Sequence, residues 1–314
     1  MRQHRLNAVY TALTMKRRYE VWFLRCGLAD GSGAWWFRYL VMNLRRGRWG
    51  GEAAAMPAQV WATWFPRDGE PRSFIQGYPV EKLELSPSGK LPFHCRIAES
   101  GIEEGVCWGN MRVDGHAVSW HLQLNSAFGT TLSDKGWIGF CRSPHSDAAF
   151  SGEIALDGRK FAGSPLGFGV QGHNCGYRHR TYWRWMHAYF RQPGGAASTL
   201  EALVYDLPFG MVFRHAVLWY QGKVHHLRRV KERAVVRDAQ RLQWAFEGVT
   251  PDATRVEAMV EGLAPGIHRS PYTRTDGKST FPVSNASLAR ATLRIGENEL
   301  LETDGGAVLE IGGE

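Results

Sequence analysis

The sequence predicts an all-β fold built from two successive series of antiparallel strands, and three observations predict it. Thirteen tryptophans stand among 314 residues, and large aromatic side chains favour pleated surfaces. Thirty-six glycines, many beside Asp, Ser or Pro, supply tight turns. Short apolar runs broken by those turns recur along the chain, with no convincing helical period between them.

The bulk numbers agree with this class. Hydrophobic content of 44% and charged content of 22% are those of a globular protein, well away from disorder. A net charge of +8 allows an anionic partner, such as an acidic ligand, a nucleic acid or the surface of an anionic membrane, and equally a basic solvated surface. The five cysteines are scattered, with no C-x-x-C pair. They predict a reducing compartment and argue against a disulfide framework or a structural zinc. No window has the length of a membrane span and no N-terminal segment has a signal-peptide core, so a cytoplasmic protein, with peripheral membrane contact as its furthest reach, is expected.

Residues 1–18 read as a basic, weakly helical lead-in. Residues 20–26 and 34–41 then form a hairpin around Asp30-Gly31-Ser32-Gly33. Antiparallel pairing there would bring Glu20 near Arg38, as a charge pair lining a cavity or as a structural ion pair. Strands follow at 59–65, 72–79, 82–85, 106–113 and 117–125. The last alternates cleanly, with Val118, Trp120, Leu122 and Leu124 on one face. One more strand at 150–156 and the turn Asp157-Gly158 precede a boundary that divides the chain into 1–160 and 161–314. Beyond the loop that begins at Gln192, strands are expected at 199–207, 212–221, 224–230, 242–247, 255–262 and 288–295. Segment 228–241 is the likeliest helix. In the strand at 255–262, Val256, Ala258 and Val260 face inward.

Functional groups concentrate in residues 167–190. Glycines 167, 169, 172 and 176 surround His173 and Asn174, and a run of aromatics, Arg and His follows, including Arg178, His179 and Arg180. Glycines flanking Gly172-His173-Asn174-Cys175-Gly176 would let the backbone turn sharply and present the imidazole and the amide to a space beside them. Imidazole suits proton transfer near neutral pH, and Asn can orient a hydroxyl or a carbonyl. A tight connection whose His and Asn satisfy buried backbone groups is the other reading. Trp183, Trp185, His187 and Tyr189 recur at period two, as the wall of a pocket or as core. His173, His179 and His187 lie too far apart along strands to share a metal. No P-loop, dinucleotide fingerprint, G-x-S-x-G elbow or H-E-x-x-H is present. The basic run 223–237 could meet phosphates, but no nucleic-acid-binding module accompanies it, and no nucleic acid is expected.

Taken together, Tyr19-Glu20-Val21-Trp22-Phe23, Trp35-Trp36-Phe37-Arg38-Tyr39, Ser151-Gly152-Glu153-Ile154, and above all Gly172-His173-Asn174-Cys175-Gly176 followed by Trp183-Arg184-Trp185 carry a resemblance. The chain resembles the two-domain lipocalin-like superfamily of tocopherol cyclase, carotenoid 1,2-hydratase and the AttH-like proteins. Order and spacing match over roughly residues 19–190. The resemblance implies two lipocalin-like barrels or sandwiches, an apolar ligand pocket in or between them, and no cofactor. It implies that His173, aided by Asn174, protonates or orients an isoprenoid- or polyketide-like substrate for hydration or cyclisation. Asp206, beside Tyr205, would then hold His173 charged. Relatives carry Trp where Cys175 stands. A thiol offers no cation-stabilising ring, which leaves that part to Trp183 or Trp185. The ligand-contacting candidates are Glu20, Trp22, Trp36, Arg38, Trp120, Cys175, Trp183, Trp185 and His187. A carrier that binds the same kind of ligand without catalysis fits the same residues.

Overall fold

The structure, a computed structural model, describes residues 5–10, 18–42, 56–177, 182–192, 197–276 and 279–313, the side chains at 137 and 208 excepted. Most of the lead-in 1–18, the positions Arg178, His179 and Arg180, and the Pro-Gly-Gly of the loop after Gln192 lie outside those residues.

The described chain is almost entirely strand. The first sheet contains β1 (Tyr19–Leu28), β2 (Gly33–Met42), β3 (Ala58–Pro66), β4 (Arg72–Tyr78), β5 (Leu83–Leu85), β6 (His94–Ile97), β7 (Ser100–Glu103), β8 (Val106–Val113), β9 (His116–Asn125), β10 (Thr130–Asp134), β11 (Gly139–Leu156) and β12 (Arg159–Gly176). The second contains β13 (Trp183–Arg191), β14 (Ala197–Asp206), β15 (Val212–Tyr220), β16 (Lys223–His226), β17 (Arg228–Arg237), β18 (Arg241–Val249), β19 (Arg255–Leu263), β20 (His268–Thr273), β21 (Thr280–Ile295) and β22 (Glu299–Gly312). All pairings are antiparallel, as short hairpin connections require. The expected all-β class is therefore observed.

Three expectations differ from the structure. The changeover between sheets falls between Gly176 and Trp183, not at residue 160, because β12 continues pairing with β1 as far as Gly176. Segment 228–241 is not a helix: β17 pairs with β18, and exposed residues dominate its outer side. The glycines of 167–176 do not make a sharp turn. They lie in the extended β12, where a Cβ on Gly172 would sit 2.1 Å from the Phe23 ring and one on Gly169 would sit 2.0 Å from the Arg25 carbonyl. Their role is close approach between strands.

Each sheet curls around its own core. In the first, β3 and β4 approach β6 and β8, and Trp22, Leu24, Trp35, Phe37, Tyr39, Trp120 and Phe150 fill the interior. In the second, Met186, Phe190, Leu200, Trp244, Phe246 and Leu309 do the same. A third apolar cluster lies between the sheets, made by Phe23, Trp36, Cys141, Trp185, Leu203, Tyr205 and Val308. Strands β1, β2, β13 and β14 thus have a buried residue on both faces, which is why they read as continuous apolar runs and not as alternations.

Arg25 ties the sheets together. Fully buried on β1, it donates from Nε and Nη2 to the Ser287 carbonyl at 3.0 and 2.7 Å, from Nη2 to the Gly305 carbonyl, and from Nη1 to the Phe168 and Gly306 carbonyls. Burial lowers its pKa to about 10, only partly offset by Cys26. Arg25→Met keeps the stem but orphans carbonyls of the second sheet. We expect it to cost about 2 kcal/mol in denaturant unfolding and to separate the melting of the two sheets, read by calorimetry.

Candidate functional site

The space between the sheets opens into a cavity of about 830 Å³, in the range of small-molecule sites. Nine of the 22 described residues that line it are aromatic. Phe23 stacks on Trp36 with ring centroids 5.2 Å apart, and Trp185 meets both edge-on at 5.4 and 5.9 Å. Gly172 leaves the room that the Phe23 ring occupies, and Gly312 leaves room for the Trp183 ring.

Polar groups gather at one part of this wall. The Trp183 indole donates to Glu310 Oε1 at 3.2 Å, and the Tyr272 hydroxyl donates to Glu310 Oε2 at 3.1 Å. Arg38 lies over the rings of Trp61 and Tyr272, its guanidinium carbon 4.6 and 4.2 Å from their centroids. Burial raises the Tyr272 pKa, against an opposing effect from Arg38, so its phenol stays protonated and remains a donor. Tyr205 exchanges a hydrogen bond with Ser133 at 3.0 Å, both on the cavity wall.

Behind Trp185 sits a buried carboxyl, Glu201. Its Oε1 accepts from Ser143 Oγ at 2.6 Å and from the Trp185 indole at 2.9 Å, and its Oε2 accepts from Ser146 Oγ at 3.3 Å. Burial pushes its pKa up to about 7, the three hydrogen bonds opposing. Its neighbour across the strand pair is His187, which donates from Nε2 to the Ser146 carbonyl at 2.7 Å. Burial lowers the His187 pKa to about 3, so this ring is neutral.

The sequence-derived candidates divide between two faces. Trp36, Arg38, Asn174, Cys175, Trp183, Trp185 and Tyr205 line the cavity. Glu20, Trp22, Trp120 and His173 do not; they occupy the interior side of the first sheet. The expectation that His173 and Asn174 share a pocket is corrected by strand geometry, since adjacent residues on β12 point to opposite faces. His173 Nδ1 donates to the Leu6 carbonyl at 2.7 Å, its Nε2 meets Glu20 Oε1 at 2.8 Å, and its ring stacks on Trp22 at 4.6 Å. It fastens residues 5–10 to the barrel end, where Tyr10 N–H also donates to Glu20 and the Trp22 indole donates to the Asn7 carbonyl.

Glu20 and Arg38 are likewise not a pair, because they stand on opposite faces of the β1–β2 hairpin; Glu20 belongs to His173. Asp206 is exposed and on the other sheet, so it does not reach His173. His187 packs against β11 behind the cavity wall. Cys175 contributes to the wall, while its Sγ accepts from Arg18 at 3.4 Å. All five cysteines are buried and none forms a disulfide. No group of three or more ligating side chains suited to a metal occurs among the described residues, and none of their helices is long and apolar enough to cross a membrane.

Sequence reasoning missed Glu310, Tyr272 and Glu201. Two of them had a local signal: an acidic residue inside an apolar run, Glu201 between Leu200 and Ala202, Glu310 between Leu309 and Ile311. Tyr272 had none.

No family model and no curated protein matches the chain. Solved structures do. The chain is similar to CghA solved with Sch210972, at 14% identity and a TM-score of 0.64 over 95% of this chain and 88% of that one. It is similar to a putative AttH, NE1406, from Nitrosomonas europaea, at 10% identity and 0.57 over 94% and 92% of the two chains. Kievitone hydratase from Nectria haematococca aligns at 10% identity and 0.57, over 98% and 93%. The chain has the fold of these proteins. The AttH-like resemblance read from the sequence motifs is therefore met at the level of fold, across both sheets and not only residues 19–190.

Proposed function

We propose that the cavity between the sheets binds a hydrophobic small molecule, isoprenoid- or polyketide-like, and that the protein promotes its cyclisation or hydration by hydrogen-bond and acid catalysis. The observation that carries this reading is the aromatic cavity with a fixed polar cluster, Arg38–Tyr272–Glu310–Trp183, on its wall. Two structural neighbours support it, one named as a hydratase and one solved with a small molecule.

The chemistry follows from the wall. Rigid rings on several sides hold a flexible chain near its reactive fold, which supplies much of the acceleration for a ring closure. The Tyr272 phenol and the Glu310 carboxyl, locked to each other, can hand a proton to or take one from a substrate atom beside them. Arg38 stabilises negative charge that develops on an oxygen in this low-dielectric space.

Glu310→Gln preserves size and the bond from Trp183. It is expected to lower turnover about a hundredfold while leaving ligand affinity nearly unchanged. Unchanged turnover in this variant would remove Glu310 from the mechanism.

One observation favours a carrier as the second reading: among the described residues, no histidine lines the cavity. Mass spectrometry of the small molecule that co-purifies decides between them. A bound compound recovered unchanged after long incubation supports the carrier; conversion to a product isomeric with it, or heavier by one water, supports the enzyme.

A further inference from the structure

Three buried polar atoms of cavity-lining residues have no hydrogen-bond partner among the described residues: Trp36 Nε1, Arg38 Nη1 and Asn174 Oδ1. Two are donors, and they come from alternate positions of β2, so they lie on the same face of one strand. Such atoms are costly to bury unless something else satisfies them.

Arg38 is the most informative of the three. It is only 6% exposed. The rings of Trp61 and Tyr272, themselves edge-to-face 5.4 Å apart, both pack against its guanidinium, and its Nη1 is buried with no hydrogen-bond partner among the described residues. Arg38 forms none of the ion pairs found among the described residues, and the nearby Glu310 is already engaged by Tyr272 and Trp183. A buried guanidinium held in place by two rings, with no carboxylate against it, is half of a charge pair.

We propose that the ligand of this cavity carries an acidic oxygen group, a carboxylate or an enolate, which Arg38 and Trp36 hold while the apolar body lies against Phe23 and Trp185. Asn174 Oδ1 accepts from a hydroxyl or amide N–H of the same ligand. This rests on the reading of the cavity as a small-molecule site and adds the chemical class of what enters it. A neutral terpene would leave Arg38 Nη1 unmet.

The test uses three probes and tryptophan fluorescence of the full chain at neutral pH: dodecanoate, 2-decanoylcyclohexane-1,3-dione as an acidic enol, and dodecan-1-ol as the neutral control. We expect dodecanoate or the dione to bind roughly ten- to a hundredfold more tightly than the alcohol, the ratio a charge-assisted hydrogen bond supplies. Which of the two binds better distinguishes carboxylate from enolate. Arg38→Met, which keeps an apolar stem against the rings, should bring the acidic probes down to the affinity of the alcohol and leave the alcohol unchanged. Equal affinities for acids and alcohol in the wild-type protein overturn the inference and leave the apolar cavity standing. Failure of all three to bind removes the cavity reading itself. Because the acid-to-alcohol ratio is measured on the wild-type chain, the proposal remains testable even if Arg38→Met does not fold.

Discussion

His173→Ala is expected to destabilise the protein by about 3–5 kcal/mol and to leave ligand affinity in the intersheet cavity nearly intact. The loss is large because four partners meet this one ring, the fourth being Phe140, edge-on at 4.8 Å. Glu20 is almost fully buried and meets His173 Nε2 at 2.8 Å; without the imidazole, a buried carboxyl loses that partner and keeps the Tyr10 amide. The Leu6 carbonyl loses its donor, and Trp22 loses a ring stacked 4.6 Å away. Because Leu6 and Tyr10 both hang on the pair, the variant should also expose residues 5–10 to protease before global unfolding. Chemical denaturation, limited proteolysis and ligand titration check the three parts. His173→Gln, which can still donate a hydrogen bond, should recover part of the stability. A variant that melts normally but no longer turns over substrate would instead return His173 to the chemistry.

The second large effect is a dependence of stability on pH carried by Glu201. A carboxyl whose folded pKa is raised holds its proton more tightly in the folded protein than in the unfolded chain. Its favourable contribution is present below the ordinary value of 4.5 and is lost as pH rises toward about 7. Over that interval the loss amounts to roughly 3 kcal/mol. Glu201→Gln abolishes it and keeps the geometry: the amide oxygen still accepts from Ser143 and Trp185, and the amide nitrogen can donate to Ser146 Oγ.

His187 acts with the opposite sign. Its folded pKa near 3 lies below the ordinary 6.5, so stability falls as pH drops through that window. The stability of wild type alone therefore mixes two opposed slopes. The difference between Glu201→Gln and wild type isolates one of them, since His187 is present in both. That difference should favour the variant progressively from pH 4.5 to pH 7 and then level off. A difference that stays flat across this range would show that Glu201 is ionised in the folded state throughout. Since Glu201 holds the Trp185 indole, the same titration should be visible in tryptophan fluorescence.

Much of the strand content was legible along the chain. Period-two alternation marks Val118, Trp120 and Leu122, and Val256, Ala258 and Val260, all of which are buried, because one face of those strands meets a core and the other is wetter. Turn residues such as Asp157-Gly158 mark hairpins for an equally local reason. Legibility fails for β12, where glycines that read as a turn are the near-side of close strand packing: only the neighbouring strand, with Phe23 and Arg25, shows what the missing side chains make room for. It fails too for Glu20 and Arg38, which hairpin pairing brings close in chain direction while the pleat sends them to opposite faces.

By itself, then, the sequence determined the class of fold and the aromatic strands, because these depend on residue type and spacing within a few positions. The tertiary structure alone decided which face of each strand became the site. Both faces of β1, β2, β13 and β14 are apolar, and only the docking of a second sheet against the first makes one face a barrel interior and the other a cavity. That docking placed His173 inside the barrel, left Arg38 and Asn174 on the cavity wall, and brought Tyr272 and Glu310 to them from strands near the far end of the chain.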